Sequence, residues 1–142
     1  MADLRVFLDA NVLFTAACTT GGLSALIIEI GAAGRLTLLT SPLAVIEAQR
    51  NLEAKRPSAL PAFERNLVHV QIVREPAPVD VDRLTPAELA AKDRPILAAA
   101  IAARATHLVT GDERDFGPWM GRRILLPLFV MTPRQFLTEA RP

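Results

Sequence analysis

Apolar residues in this chain come in short blocks whose spacing switches between two periods. Arg5-Val6-Phe7-Leu8, Leu36-Thr37-Leu38-Leu39-Thr40 and His107-Leu108-Val109-Thr110 are compact apolar runs, the pattern of strands buried on both faces. Val68 to Val73 adds a third strand in chain order. A last run, Ile124 to Met131, is split by Pro127, which leaves Leu128 to Met131 as a strand at a sheet edge. Between these blocks the period lengthens. Leu23, Leu26, Ile27 and Ile30 follow at i, i+3, i+4, i+7, and Ile96, Leu97, Ala100 and Ile101 repeat at helical spacing. Each set forms the apolar face of an amphipathic helix.

Start and stop signals agree with that division. Val12-Leu13-Phe14 reads as a first helical turn after strand one, and Gly34 suits a helix stop. Ser41 caps a helix with Pro42 at its first position, running to about Lys55. Leu60, Phe63 and Leu67 predict a short helix, and Thr132-Pro133 opens a terminal one containing Phe136 and Leu137. Thr85-Pro86-Ala87-Glu88 has capping-box spacing and predicts a helix start. Glu75 to Asp82, rich in proline and acid, reads as a loop, as do Gly117-Pro118 and Gly121. Strands and helices thus alternate, which implies an α/β fold: a parallel sheet of about five strands, helices on both faces, right-handed crossovers. No repeat, low-complexity segment or linker interrupts the pattern, so residues 1–142 are expected to form a single domain.

Acids recur at particular points of this frame. Asp9 ends strand one, and Asp112 follows the buried strand 107–110 across Gly111. Asp93 opens the helix that leads into that strand, and Glu47 lies about a turn and a half into the helix after strand two. Asp115 stands three residues beyond Asp112. Strand C-termini and the N-termini of the following helices share one edge of a parallel sheet, where such folds place their sites. Singly, each acid has an ordinary reading. Asp93 suits a helix N-terminus, Asp112 a turn, Glu47 a solvated helix face and Asp115 a loop. Together at one edge they would repel unless protonated or neutralised. The set offers oxygen ligands without Cys or His partners, which suits Mg²⁺ or Mn²⁺ better than zinc. Two such ions about 4 Å apart activate water and stabilise the leaving oxygen of a phosphodiester. Asn11 and Thr110 are polar neighbours placed to orient carboxylates or a water.

Composition narrows the choice of chemistry. Sixteen basic and fifteen acidic residues leave a net charge of +1, so the distribution of charge matters more than its sum. Lys92, Arg94, Arg114, Arg122 and Arg123 flank the proposed mouth and are candidates for holding phosphates. Tyrosine is absent and aromatics are 5% of residues, which argues against an extended base-stacking surface. The single Cys18 excludes an internal disulfide and a thiolate metal site. His69 and His107 sit in strands and read as structural, and Trp119 as a loop anchor. No apolar run is long enough to span a bilayer, and no secretion leader is visible, so a cytoplasmic protein without membrane association is expected. The face from Leu23 to Ile30 reads as core, with a dimer surface as its second use.

With these segments in view, the chain resembles the PIN-domain family of metal-dependent ribonucleases, of the VapC-like toxin type, from Val6 to about Met131. The family's four acids match Asp9 in Phe7-Leu8-Asp9-Ala10-Asn11, Glu47 in Val45-Ile46-Glu47, Asp93 ahead of Ile96-Leu97, and Asp112 in Leu108-Val109-Thr110-Gly111-Asp112. Asp115-Phe116 matches the usual accompanying pair. Ala10 departs from the pattern, where the family often carries a hydroxyl. The resemblance implies a three-layer α/β/α sandwich, a Mg²⁺ or Mn²⁺ site, RNA cleavage, dimerisation and an antitoxin partner. In that reading Asp9, Asp93 and Asp112 are primary ligands, Glu47 binds directly or through water, and Asp115 serves an outer shell or a second metal. One metal or two is left open, as is the RNA target. The alternative is a PIN-like module that binds RNA or protein without cutting. A haloacid-dehalogenase-like phosphatase would want a second aspartate at position 11, which is Asn11. A receiver-like domain would want a paired acid and a later lysine that the chain does not place.

Overall fold

The structure, a computed structural model, describes residues 3–120 and 127–142. Its elements are β1 Arg5–Leu8, α1 Ala10–Cys18, α2 Leu23–Ala32, β2 Thr37–Thr40, α3 Pro42–Lys55, α4 Leu60–Leu67 and β3 Val70–Ile72. These are followed by α5 Pro78–Leu84, α6 Arg94–Ala102, β4 His107–Val109, α7 Glu113–Phe116, β5 Phe129–Met131 and α8 Pro133–Glu139. The five strands form one parallel sheet in the order β3-β2-β1-β4-β5. This is the α/β architecture expected from the alternation of blocks.

Topology places the site. The chain moves outward from β1 through β2 to β3, then returns to lay β4 on the other side of β1. Right-handed crossovers in opposite directions put their helices on opposite faces of the sheet. Accordingly α1 packs against α2, α3 and α4, while α5 packs against α6. The reversal falls between β1 and β4, and their carboxyl ends, carrying Asp9 and Thr110-Gly111-Asp112, flank it. A crevice outside the strand ends at such a switch point is where open α/β sheets bind ligands.

The core explains the apolar runs. Phe7 of β1 sits level with Leu39 of β2 and Leu108 of β4, and all three are fully buried. His107 is buried too, its ring stacked 5.4 Å from that of Phe129 and edge-on 5.2 Å from Phe136, as suits a structural histidine. Gly31 lets α2 settle on Leu38, since a Cβ there would overlap that side chain.

Four expectations need correcting. Of the α2 face read as core, Leu23 and Leu26 are exposed, because the helix turns Ala25, Ile27 and Ile28 inward. Strand three begins at Val70, because Val68 continues the helical conformation after α4 and is 81% exposed. The segment read as a proline-rich loop contains α5, with Pro78 in its first turn, where the missing N–H costs nothing. The Thr85 capping box does not open a helix. The Thr85 hydroxyl donates to the Val81 carbonyl at 2.6 Å, closing α5, and the next helix begins only at Arg94. Gly121, Arg122, Arg123 and Ile124 lie outside the described residues.

Candidate metal centre and cleft

Asp9 is fixed before any ligand is considered. It caps α1, accepting from the Ala10 N–H at 2.7 Å. Its Oδ2 accepts from the Thr110 hydroxyl at 2.8 Å and from Asn11 Nδ2 at 3.3 Å. Thr110 is fully buried, and its hydroxyl also accepts from the Asp112 N–H at 3.0 Å and from Asn11 Nδ2 at 3.3 Å. Asn11 Oδ1 in turn accepts from the Gly111 N–H at 2.7 Å. Asn11 and Thr110, read from the sequence as supporting polar residues, tie the carboxyl ends of β1 and β4 together through Asp9. Burial pushes the Asp9 carboxyl above the ordinary carboxylate range, and the charges of Glu47 and Asp112 push the same way. The bonds from Thr110 and Ala10 oppose that rise.

A second group forms around the start of α6 and the single turn of α7. Asp93, Asp112 and Asp115 each offer one carboxylate oxygen, and these oxygens all lie within 4.8 Å of one another. Carboxylates that close repel one another unless one is protonated or a cation neutralises them. Asp112 also caps α7, accepting from the Asp115 N–H at 3.0 Å, which turns Asp115 back toward Asp93. Asp93 is buried and stands at the N-terminus of α6, yet its side chain makes no capping bond. Among the described residues, Asp93 Oδ2 is the one buried side-chain polar atom without a hydrogen-bond partner. Burial, then the neighbouring Asp115 and Asp112 carboxylates, push Asp93 up to about 7. Asp115 is held below the ordinary range, chiefly by Lys92.

Lys92 supplies the positive charge of this group. Its Nζ lies 3.0 Å from Asp115, 3.7 Å from Asp112 and 3.8 Å from Asp93. Asp115 foremost, then Asp93, hold the ammonium above its usual range. An all-oxygen donor set and a buried oxygen that no hydrogen-bond donor meets are what a hard divalent ion's site would present. By that test the residues fit Mg²⁺ or Mn²⁺.

The two groups face each other across one cleft. A cavity of about 220 Å³ is lined by Asp9, Glu47, Asp93 and Asp112, and also by Asn11 and Lys92. Glu47 is exposed on α3. Asp115 belongs to the tightest carboxylate cluster, more central than its sequence position suggested. Of the basic candidates, Lys92 reaches the cleft, whereas Arg94 is directed elsewhere. Its guanidinium donates to Thr85 Oγ1 at 2.9 Å and to Asp82 at 3.3 Å, bracing α6 against the end of α5. Arg114 is exposed on α7. Phe14, Asn51 and Lys55 also line the cavity and were not anticipated. Asn51 and Lys55 were legible as Glu47 plus four and plus eight on one helix.

A parallel α/β sheet with a carboxylate cleft at its switch point defines the class of protein. The chain matches the PIN domain family over residues 5–114, and it belongs to that family. Its fold is similar to one in the crystal structure of VapBC2 from Rickettsia felis bound to a DNA fragment from their promoter. The two share 18% sequence identity over 90% of this chain and 97% of that one, with a TM-score of 0.65. No curated protein sequence matches the chain.

Proposed function

We propose that this protein is a metal-dependent endoribonuclease, a single PIN-like domain over residues 1–142 that hydrolyses RNA phosphodiester bonds with Mg²⁺ or Mn²⁺. The observation that carries this reading is the buried Asp93 Oδ2, which no hydrogen-bond donor meets, inside a three-carboxylate cluster. Asp93, Asp112 and Asp115 would hold the ion, with Asp9 and Glu47 on the facing wall of the cleft. When bound, the ion supplies Lewis-acid chemistry, offsetting charge on a phosphate and making water acidic enough to attack at neutral pH. Asp9, kept in place by Thr110 and Ala10, presents an oriented carboxylate to accept a proton or to complete the ligand set. The reading includes an antitoxin partner, drawn from the likeness to a VapBC complex, a homodimer, and a cytoplasmic setting.

The test is cleavage of a mixed RNA pool with Mn²⁺ or Mg²⁺, comparing wild type, a chelator control and Asp9→Asn. Cleavage that requires both metal and Asp9 is expected. Cutting that survives in Asp9→Asn would place the active site elsewhere.

A second reading draws on Lys92, whose ammonium already neutralises part of the cluster. A PIN-like module that binds RNA or protein without cutting would need no more cation than this. Lys92→Met separates the two. If the cluster is built for a divalent ion, losing the competing ammonium should tighten Mn²⁺ binding by roughly fivefold, since exposed ion pairs contribute up to about 1 kcal/mol. The metal-free melting temperature should fall by a few degrees. Isothermal titration and thermal melts read both effects, and an unchanged Mn²⁺ affinity would favour the binding module.

A further inference from the structure

We propose that Phe14, Asn51 and Lys55 form a substrate subsite beside the carboxylate cleft, one that takes an unpaired nucleotide adjoining the phosphate to be cut. The proposal rests on the ribonuclease reading and names the substrate class of that same site.

The three residues line the same cavity as Asp9, Glu47, Asp93 and Asp112. Glu47, Asn51 and Lys55 follow at i, i+4 and i+8 along α3, so they share one helix face. At 1.5 Å per residue, Glu47 and Lys55 are roughly 12 Å apart along the axis. The cleft therefore has an acidic end and, two helical turns away, a basic one. A nucleic-acid strand with one phosphate over the carboxylates has its next charges drawn toward Lys55.

The charge at Lys55 is free for that purpose. Among the described residues, no carboxylate lies within ion-pair distance of its ammonium, whereas Lys92 is held by three acids and Arg94 by Asp82 and Thr85. Asn51 is half-buried and offers both a donor and an acceptor to a base edge or sugar. Phe14 projects from α1, which packs on α3. Its ring is half-buried against the core while also lining the cavity. An aromatic side chain lining the same cleft as a basic residue and the acids offers a surface on which a base stacks. Stacking requires a base released from its helix. The subsite therefore selects single-stranded over double-stranded RNA. A purely structural role assigns Lys55 to the negative end of α3 and Phe14 to the core, and predicts loss of stability without loss of RNA binding.

Binding is measured by fluorescence anisotropy in Mn²⁺, in an Asp9→Asn background so that the strand stays intact. The probe is a short mixed-sequence single-stranded RNA, with the same strand annealed to its complement for comparison. Lys55→Gln is expected to weaken single-strand binding about tenfold and to reduce the salt slope by about 0.7. Phe14→Leu, which keeps apolar bulk, is expected to weaken it about tenfold without altering the salt slope. Asn51→Ala is expected to weaken it severalfold, and duplex binding should change little in any of the three. Arg35→Gln, before β2 and so at the opposite edge of the sheet, should bind like the parent. Circular dichroism confirms folding. Unchanged affinity in folded Lys55→Gln or Phe14→Leu overturns the subsite, as does a parent protein that prefers the duplex. The nuclease reading fails separately: if wild type never cuts but the variants still lose single-strand binding, the subsite stands and the catalytic assignment falls.

Discussion

Asp93→Asn is expected to lower metal-dependent RNA cleavage by roughly 10²–10³-fold, the loss usual for a group that stabilises charge in the transition state. The same substitution should not destabilise the metal-free protein above pH 7. Asp93 is raised to about 7 by burial and by the carboxylates beside it. In the folded state it therefore keeps its proton where the unfolded chain has released it. Relative to alkaline solution, protonated Asp93 contributes stability that is fully present below pH 3.8 and is lost as pH rises through about 7. Asp115, held low, works in the opposite sense: its contribution is present above the ordinary carboxylate value and is lost as pH falls through its lowered one. Asparagine removes the ionisation at position 93, so the melting temperature of Asp93→Asn should meet or exceed wild type at pH 8. Binding of Mn²⁺ by wild type should strengthen between pH 6 and pH 8 and displace a proton at the lower pH. Calorimetry in buffers of different ionisation enthalpy reads that proton, which should vanish in Asp93→Asn. Full cleavage by this variant, or a lower melting temperature at pH 8, would separate Asp93 from the metal centre.

How much of this could be read from the sequence depended on what each residue answers to. β1, β2 and β4 were legible because strands buried on both faces must be apolar throughout, and the acids after them stand out against that background. The edge strand β3 was over-extended, since half of it faces solvent and its pattern fades where α4 ends. Glu75 to Asp82 reads as a loop by its prolines and acids, although the first turn of a helix accommodates a proline, as α5 does Pro78. Thr85 matched a capping box, but its hydroxyl found the Val81 carbonyl and the Arg94 guanidinium instead, a choice made by tertiary contact. The gathering of the acids around one cleft followed from parallel topology alone. Which basic residue joins them did not. Arg94 is next to Asp93 in sequence, yet neighbours on a helix diverge in direction, and Arg94 turns to α5. Lys55 lies eight residues from Glu47 and shares its face. Phe14 carried no signal, because a half-buried aromatic on α1 looks the same whether its free side meets a ligand or solvent.

Thr110→Val should cost about 2–3 kcal/mol of stability at neutral pH, the range for a hydrogen bond to a charged group. Valine preserves the shape of threonine and removes only its hydroxyl. That hydroxyl is fully buried, donates to Asp9 Oδ2 at 2.8 Å, and accepts from the Asp112 N–H and Asn11 Nδ2. Without it a buried carboxylate loses its shortest side-chain donor and the β1–β4 junction loses its link to Asp112. The bond from Thr110 is also the foremost influence opposing the burial that raises Asp9, so its loss should drive the Asp9 carboxyl further up. The sign of the pH effect follows. Stability carried by protonated Asp9 is present at acid pH and lost as pH rises through its folded value, and removing the donor enlarges that loss. The gap in melting temperature between wild type and Thr110→Val should therefore widen as pH rises, reaching roughly 5–10 °C. Thr110→Ser, which restores the hydroxyl but not the methyl group, should recover most of the gap and its pH dependence. A gap that is constant with pH, or unaffected by serine, would mean that Thr110 contributes packing and that Asp9 is positioned by the Ala10 N–H and Asn11 without it.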